Sequence, residues 1–129
     1  MANRYPEAAL IAARQGISAG VTPGILWERA LEQVYPTSPT ARRKGDPRGA
    51  FLGLCEEGLV KGIPVGSYGA TRDNKGFAVR AARLLIEGGQ SWSISTLWEA
   101  AREGSQKAHN GQMDIVLALW KNGLIVTGS

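Results

Sequence analysis

The chain is short of the residues that build most catalytic and metal centres. It has one cysteine, Cys55, and one histidine, His109. A single cysteine excludes an intramolecular disulfide framework and is ordinary for a reducing compartment. A lone histidine with no soft ligand near it in sequence cannot build a zinc site. No apolar run approaches the roughly 20 residues that span a bilayer. The first residues, Met1-Ala2-Asn3-Arg4-Tyr5-Pro6, carry a charge but no apolar run ahead of a cleavage site, so no signal peptide is expected. Charge of one sign is also missing. Residues 1–64 hold 8 Lys/Arg against 6 Asp/Glu, residues 65–129 hold 7 against 5, and the whole is +4. That balance permits a polyanionic partner without demanding one. A cytoplasmic protein with no membrane partner is expected.

Strand-like alternation is scarce as well, and what remains is helical punctuation. With 129 residues, 43% of them hydrophobic, the chain suits a single domain with a real core. The clearest stretch is Asp46 to Val60. Asp46 is placed to cap a helix, Pro47 to occupy its first position, and Gly58 to stop it, with Leu59 folding back on Leu54. Phe51, Leu54 and Cys55 form its apolar face. Ahead of it, a first helix is expected from about Arg4 to Gln15, ended by Gly16. Its alanines, Ala8, Ala9, Ala12 and Ala13, suit close packing. A second helix opens at Thr22-Pro23 and stops before Pro36. A short turn, Thr40 to Lys44, follows the Ser38-Pro39 cap signal. Residues 62–74 read as a glycine-rich linker that packs Ile63 and Tyr68 onto the core. Beyond it, Asp73 or Asn74 would cap a helix from Lys75 to Glu87, stopped by Gly88-Gly89. Thr96 and Glu99 match a capping box for a short helix ending near Gly104. The last helix ends at Gly123.

The two halves align. Ala9, Ala12, Ala13, Arg14, Ile17 and Gly20 recur as Ala78, Ala81, Ala82, Arg83, Ile86 and Gly89. Leu26, Trp27, Glu28, Ala30 and Glu32 recur as Leu97, Trp98, Glu99, Ala101 and Glu103. Leu52, Leu54, Gly58 and Leu59 recur as Leu117, Leu119, Gly123 and Leu124. The expected fold is therefore all-α. It is one domain, 1–129, of about six helices plus a short turn, built from two similar three-helix units at about 3–64 and 73–128. Trp27 and Trp98 would be equivalent core anchors.

The phrase Leu-x-Leu-x-x-x-Gly-Leu-Val (Leu52 to Val60, and again Leu117 to Ile125) resembles the third helix and wing entry of winged-helix domains. Neither half carries the alternating strand pair that a wing needs. The phrases Arg48 to Gly58 and Lys107 to Asp114 resemble a family of bacterial proteins known only as a domain of unknown function. That resemblance implies no activity and transfers no functional residue.

Candidate chemistry is sparse. Arg42, Arg43, Lys44 and Arg48 bring four positive charges, against Asp46, to the start of the central helix. Free N–H groups and the helix dipole favour an anion there too. Helix-turn-helix proteins place phosphate contacts similarly. The matching place in the second half holds Lys107, His109, Asn110 and Gln112, which suit phosphates or base edges. A further cluster, Arg72, Lys75, Arg80 and Arg83, lies along the first helix of that half. The bland reading of each cluster is a solvated surface. Cys55 and His109 could form a nucleophile and base, but Cys55 sits on an apolar face, where an inert thiol is the commoner outcome. The run Gly62 to Gly69 lacks the Gly-Lys-Ser/Thr ending of a phosphate loop. Neither cofactor nor metal is expected. The expected function is non-catalytic binding, with phosphate-directed nucleic-acid association leading. A protein-interaction or self-association module is the first alternative, and an enzyme using Cys55 the second.

Overall fold

A computed structural model describes residues 3–88 and 90–127, apart from the side chains of residues 17–19. The chain is all-helical: α1 (Tyr5–Ala19), α2 (Pro23–Val34), α3 (Pro39–Arg42), α4 (Gly45–Glu56), α5 (Arg72–Glu87), α6 (Ile94–Ala101) and α7 (Gln112–Lys121). Six are full helices and α3 is the expected short turn, capped by Ser38, whose Oγ accepts the Ala41 N–H at 3.3 Å. No helix among the described residues is long and apolar enough to cross a membrane.

Helix α4 runs through the middle. Pro47 and every residue from Gly49 to Cys55 are buried, so the helix is enclosed on all sides rather than along one face. It packs on α5, α7 and α2, while α1 packs on α2 and α7, and α6 on α5. Two glycines make the α4–α5 contact possible. A Cβ on Gly53 would lie 2.6 Å from the Lys75 Cα, and one on Gly49 would lie 2.8 Å from the Asn74 Cβ. Ala8, Ala9, Ala12 and Ala13 of α1 are fully buried, as their small size predicts.

Several ends depart from the sequence reading. Gly16 does not stop α1; it lies inside the helix, where a Cβ would come within 3.1 Å of Ile63 and Leu26. The stop is Gly20, at φ 68°. Asp46 does not cap α4: Lys44 is the cap residue, and the Asp46 carboxylate reaches across to other elements. α5 starts at Arg72 with Thr71 as its cap residue, so Asp73 and Asn74 lie in the first turn and Asn74 is buried. Ser93, not Thr96, caps α6; Thr96 is the reciprocal partner, and Glu99 pairs with Arg102. Trp27 is fully buried and stacks on Phe51 at 5.3 Å, whereas Trp98 is half-buried against Phe77 and His109. The equivalence expected of Gly20 and Gly89 involves a residue outside the described ones.

The two helix stops agree with the sequence reading. Gly58 and Gly123 are left-handed, at φ 70° and 71°. Leu59 N–H donates to Leu54 O at 3.0 Å, and Leu124 N–H to Leu119 O at 2.9 Å. The segments beyond the stops form no wings among the described residues but meet each other. Lys61 N–H donates to Leu124 O at 2.9 Å, Val126 N–H donates to Leu59 O at 2.8 Å, and Val60 bridges Ile125 antiparallel.

The glycine contact generates a test. Gly53→Ala should lower the urea midpoint, at a cost of about 1–3 kcal/mol or more, because its Cβ meets backbone that cannot yield cheaply. Gly45→Ala, where a Cβ meets nothing within 4 Å, should cost nothing and gain up to about 1 kcal/mol from helix propensity. Equal midpoints for the two variants would refute the close approach.

Candidate functional site

The basic turn divides into committed and uncommitted cations. Arg42 is committed: its Nη1 donates to Tyr35 O at 2.7 Å and Pro36 O at 3.1 Å, satisfying carbonyls at the end of α2. Arg43 and Lys44 are exposed. Arg48, one turn into α4, is half-buried and lies along α2, where a Cβ on Gly24 would be 3.4 Å from its Nη2. Among the described residues, Arg43, Lys44 and Arg48 make no hydrogen bond through their side chains and no ion pair.

The other cations named from sequence are mostly paired, apart from Arg72, which is exposed at the start of α5. Lys75 Nζ lies 3.0 Å from Glu56 and 3.4 Å from Glu57. Arg83 lies 4.0 Å from Glu57. Arg80 donates to Ala101 O at 2.7 Å, pairs with Glu103 at 3.4 Å and covers the Phe77 ring. Lys107 sits about midway between Asp46 and Asp73, at 4.0 and 3.9 Å. The two clusters form no continuous strip. The basic turn opens α4, while Lys75 and Arg83 converge on Glu56 and Glu57 at its other end, about 18 Å away by helical rise.

His109 and Cys55 stay apart in role. His109 Nε2 accepts the Met113 N–H at 3.1 Å, so the ring is neutral there and its 3.7 Å approach to Asp114 is not an ion pair at neutral pH. Burial holds its pKa below the usual value, against the upward pull of Asp114. Cys55 is fully buried, and burial pushes its thiol pKa far up, with Glu56 adding to the effect. Such a thiol is a poor nucleophile. No group of three His, Cys, Asp or Glu among the described residues is placed to hold a metal.

A polar network escaped the sequence reading. Asn74 Nδ2 donates to Asp46 Oδ1 at 3.0 Å and to Thr71 Oγ1 at 2.9 Å. Gln112 Nε2 donates to Asn74 Oδ1 at 3.1 Å, and Asn110 Nδ2 donates to Asp46 Oδ2 at 2.9 Å. The network ties together the first turns of α4, α5 and α7. Its signal was present: Asn74 continues the stripe Phe77, Ala78, Ala81, Leu85, and Gln112 the stripe Ile115, Val116, Leu119. A polar residue on a buried stripe must find partners. Burial raises the Asp46 pKa, but Asn110, Asn74, Lys107 and Lys44 together bring it below the usual value.

A cleft opens beside Arg48. One part, about 340 Å³, is lined by Thr22, Gly24, Arg48, Ser67 and Tyr68, with Glu28 and Ile25 at its side. A second part, about 490 Å³, shares Thr22 and Tyr68 and is walled by Val21, Ile63 and Pro64. The loop that forms this wall is held by Glu56. Its Oε2 accepts the N–H groups of Tyr68 at 2.8 Å and Ala70 at 3.0 Å, and its Oε1 pairs with Lys75. Tyr68 and Ile63 pack down as expected.

Comparison with known proteins gives a family and no activity. The profile of a family described as "Family of unknown function (DUF6979)" matches residues 2–126. No curated protein and no solved structure matches the chain.

Glu56 makes the loop anchor titratable. Burial raises its pKa, but the Ala70 and Tyr68 amides and Lys75 outweigh this and hold it below its ordinary 4.5. A carboxylate with a depressed folded pKa stabilises above its unfolded value, and that stabilisation is lost as pH falls through the folded value. Glu56→Gln should therefore destabilise by about 1–3 kcal/mol at pH 7 and by less at the lowest pH at which the chain stays folded, in urea unfolding. An equal loss at both pH values would rule out the charged anchor.

Proposed function

The chain belongs to this family of unknown function, and we propose that it is a non-catalytic helical binding module whose basic turn associates with nucleic-acid phosphates. The observation that carries the reading is the contrast in pairing. Lys75, Arg80, Arg83 and Lys107 lie opposite carboxylates, whereas Arg43, Lys44 and Arg48, like Arg72 alone in the second cluster, have none within ion-pair distance among the described residues. Arg42 fixes the turn from behind through the α2 carbonyls. Asp46, the one acid in the turn, spends its carboxylate on Asn74 and Asn110. Two exposed cations on a short capped turn can approach a phosphate backbone without first breaking an ion pair.

The reading draws less on the alternatives. Ile25, Val65 and Ile94 are the large apolar residues left exposed among the described ones, and they lie on three different elements. They give an apolar docking groove no support. The buried, protonated Cys55 gives nucleophilic catalysis none. The reciprocal pairing of Leu59 and Lys61 with Val126 and Leu124 supports a duplicated architecture. Its hydrogen bonds exchange with one another when Gly58 is matched to Gly123.

The test is anisotropy of labelled DNA and RNA duplexes at 50 and 200 mM salt. Two phosphates neutralised by Arg43 and Lys44 imply a fall in affinity of about 12-fold on duplex DNA over that interval. Arg43→Glu with Lys44→Glu, both exposed, should abolish binding without changing the melting temperature. Absence of binding at 50 mM salt, or binding that the double variant leaves intact, would overturn the proposal.

A further inference from the structure

We propose that the cleft beside Arg48 binds a small organic anion, its oxyanion head on Arg48 and its apolar body against Val21, Ile63 and Pro64. This goes beyond the reading of the basic turn and does not depend on it, because the cleft is reached by Arg48 and not by Arg43 or Lys44.

The head position is built from groups with unused bonding capacity. Arg48 is half-buried, and among the described residues its guanidinium has neither carboxylate nor carbonyl partner. A planar fork kept partly out of water without a partner is matched by a carboxylate or phosphate, which accepts two parallel N–H bonds. Among the described residues Thr22 makes no side-chain capping bond to α2, and it lines this cavity. Ser67 lines the same cavity. Gly24 gives the Arg48 side chain its course along α2, since a Cβ there would meet Nη2 at 3.4 Å.

The body position follows from the adjoining part. At about 490 Å³, with Val21, Ile63 and Pro64 on its wall, it holds more than a bare phosphate or a shell of water needs. Tyr68 lines both parts, as Thr22 does, and its orientation is fixed twice. Its N–H donates to Glu56, and its hydroxyl donates to Pro64 O at 2.7 Å. The wall is therefore formed before any ligand arrives. Glu28 lines the head cavity too but makes no ion pair with Arg48. An acid there opposes an anion, so its removal carries a signed expectation.

The probes are phenyl phosphate, benzoate, inorganic phosphate and uncharged benzyl alcohol, titrated into the full chain and followed by amide ¹H–¹⁵N spectra. Phenyl phosphate or benzoate should give saturable shifts centred on Thr22, Gly24, Ser67 and Tyr68, at least about tenfold tighter than inorganic phosphate or benzyl alcohol. Arg48→Gln should weaken the binding by about tenfold or more, and Arg48→Lys should restore only part of it. Glu28→Gln, at an exposed position, should strengthen binding by about twofold or more. Unchanged shifts away from the cleft report that each variant is folded. The proposal fails if no organic anion shifts these amides. It fails also if Arg48→Gln binds as tightly as the parent, if inorganic phosphate matches phenyl phosphate, or if Glu28→Gln weakens binding. Loss of nucleic-acid binding in the Arg43 and Lys44 variant would leave this outcome untouched.

Discussion

Gly49 and Gly53, one turn apart on α4, let α5 lie against that helix at backbone distance. Each glycine in a helix interior costs about 1 kcal/mol relative to alanine. That cost is offset by contact: with no Cβ in the way, Thr71, Asn74 and Lys75 come down directly on α4. The remaining arrangement follows. Asn74 lands opposite Asp46, and Lys75 lands opposite Glu56. One end of α4 is thereby joined to the amide network and the other to the anchored loop that walls the cleft.

The amide network explains why the turn ahead of α4 stays positive. Buried amides are stable only if satisfied, and here each member passes its donors toward one acceptor. Gln112 accepts the Asn110 N–H at 2.6 Å and donates to Asn74, which donates to Asp46. The Asp46 carboxylate is the sink of the chain; Lys107 stands 4.0 Å from it, and Lys44 also pulls its pKa down. Structural demand inside the core thus holds the Asp46 carboxylate on Asn74 and Asn110, outside ion-pair distance of Arg43, Lys44 and Arg48 among the described residues.

Features governed by local chemistry were legible in the sequence. Ser38 capping α3, the left-handed stops at Gly58 and Gly123, and the buried alanines of α1 depend on residues within a turn or two of each other. Ends set by tertiary contact were not. Gly16 reads as a stop because glycine usually is one, yet its missing side chain is used by Ile63, far along the chain. Asp46 reads as a cap because capping is its commonest local use, yet Asn74 and Asn110 claim it. Of the candidate site, the charges were legible and their partners were not. Pairing of Lys75 with Glu56 and Arg80 with Glu103 depends on how helices distant in sequence cross.

The features that carry the functional reading lie where the two halves differ. Lys61 N–H to Leu124 O and Val126 N–H to Leu59 O exchange with each other when Gly58 is matched to Gly123. No helix stands between Ala101 and Gln112 to match α3 between α2 and α4. The Gly62 to Tyr68 loop follows the first stop. The hydrogen bonds after Gly58 and Gly123 join the two halves of the core. Arg43 and Lys44, and Val21, Pro64 and Tyr68 of the cleft wall, lie in segments that connect the full helices. Selection can therefore alter them without disturbing the glycine contact or the amide network.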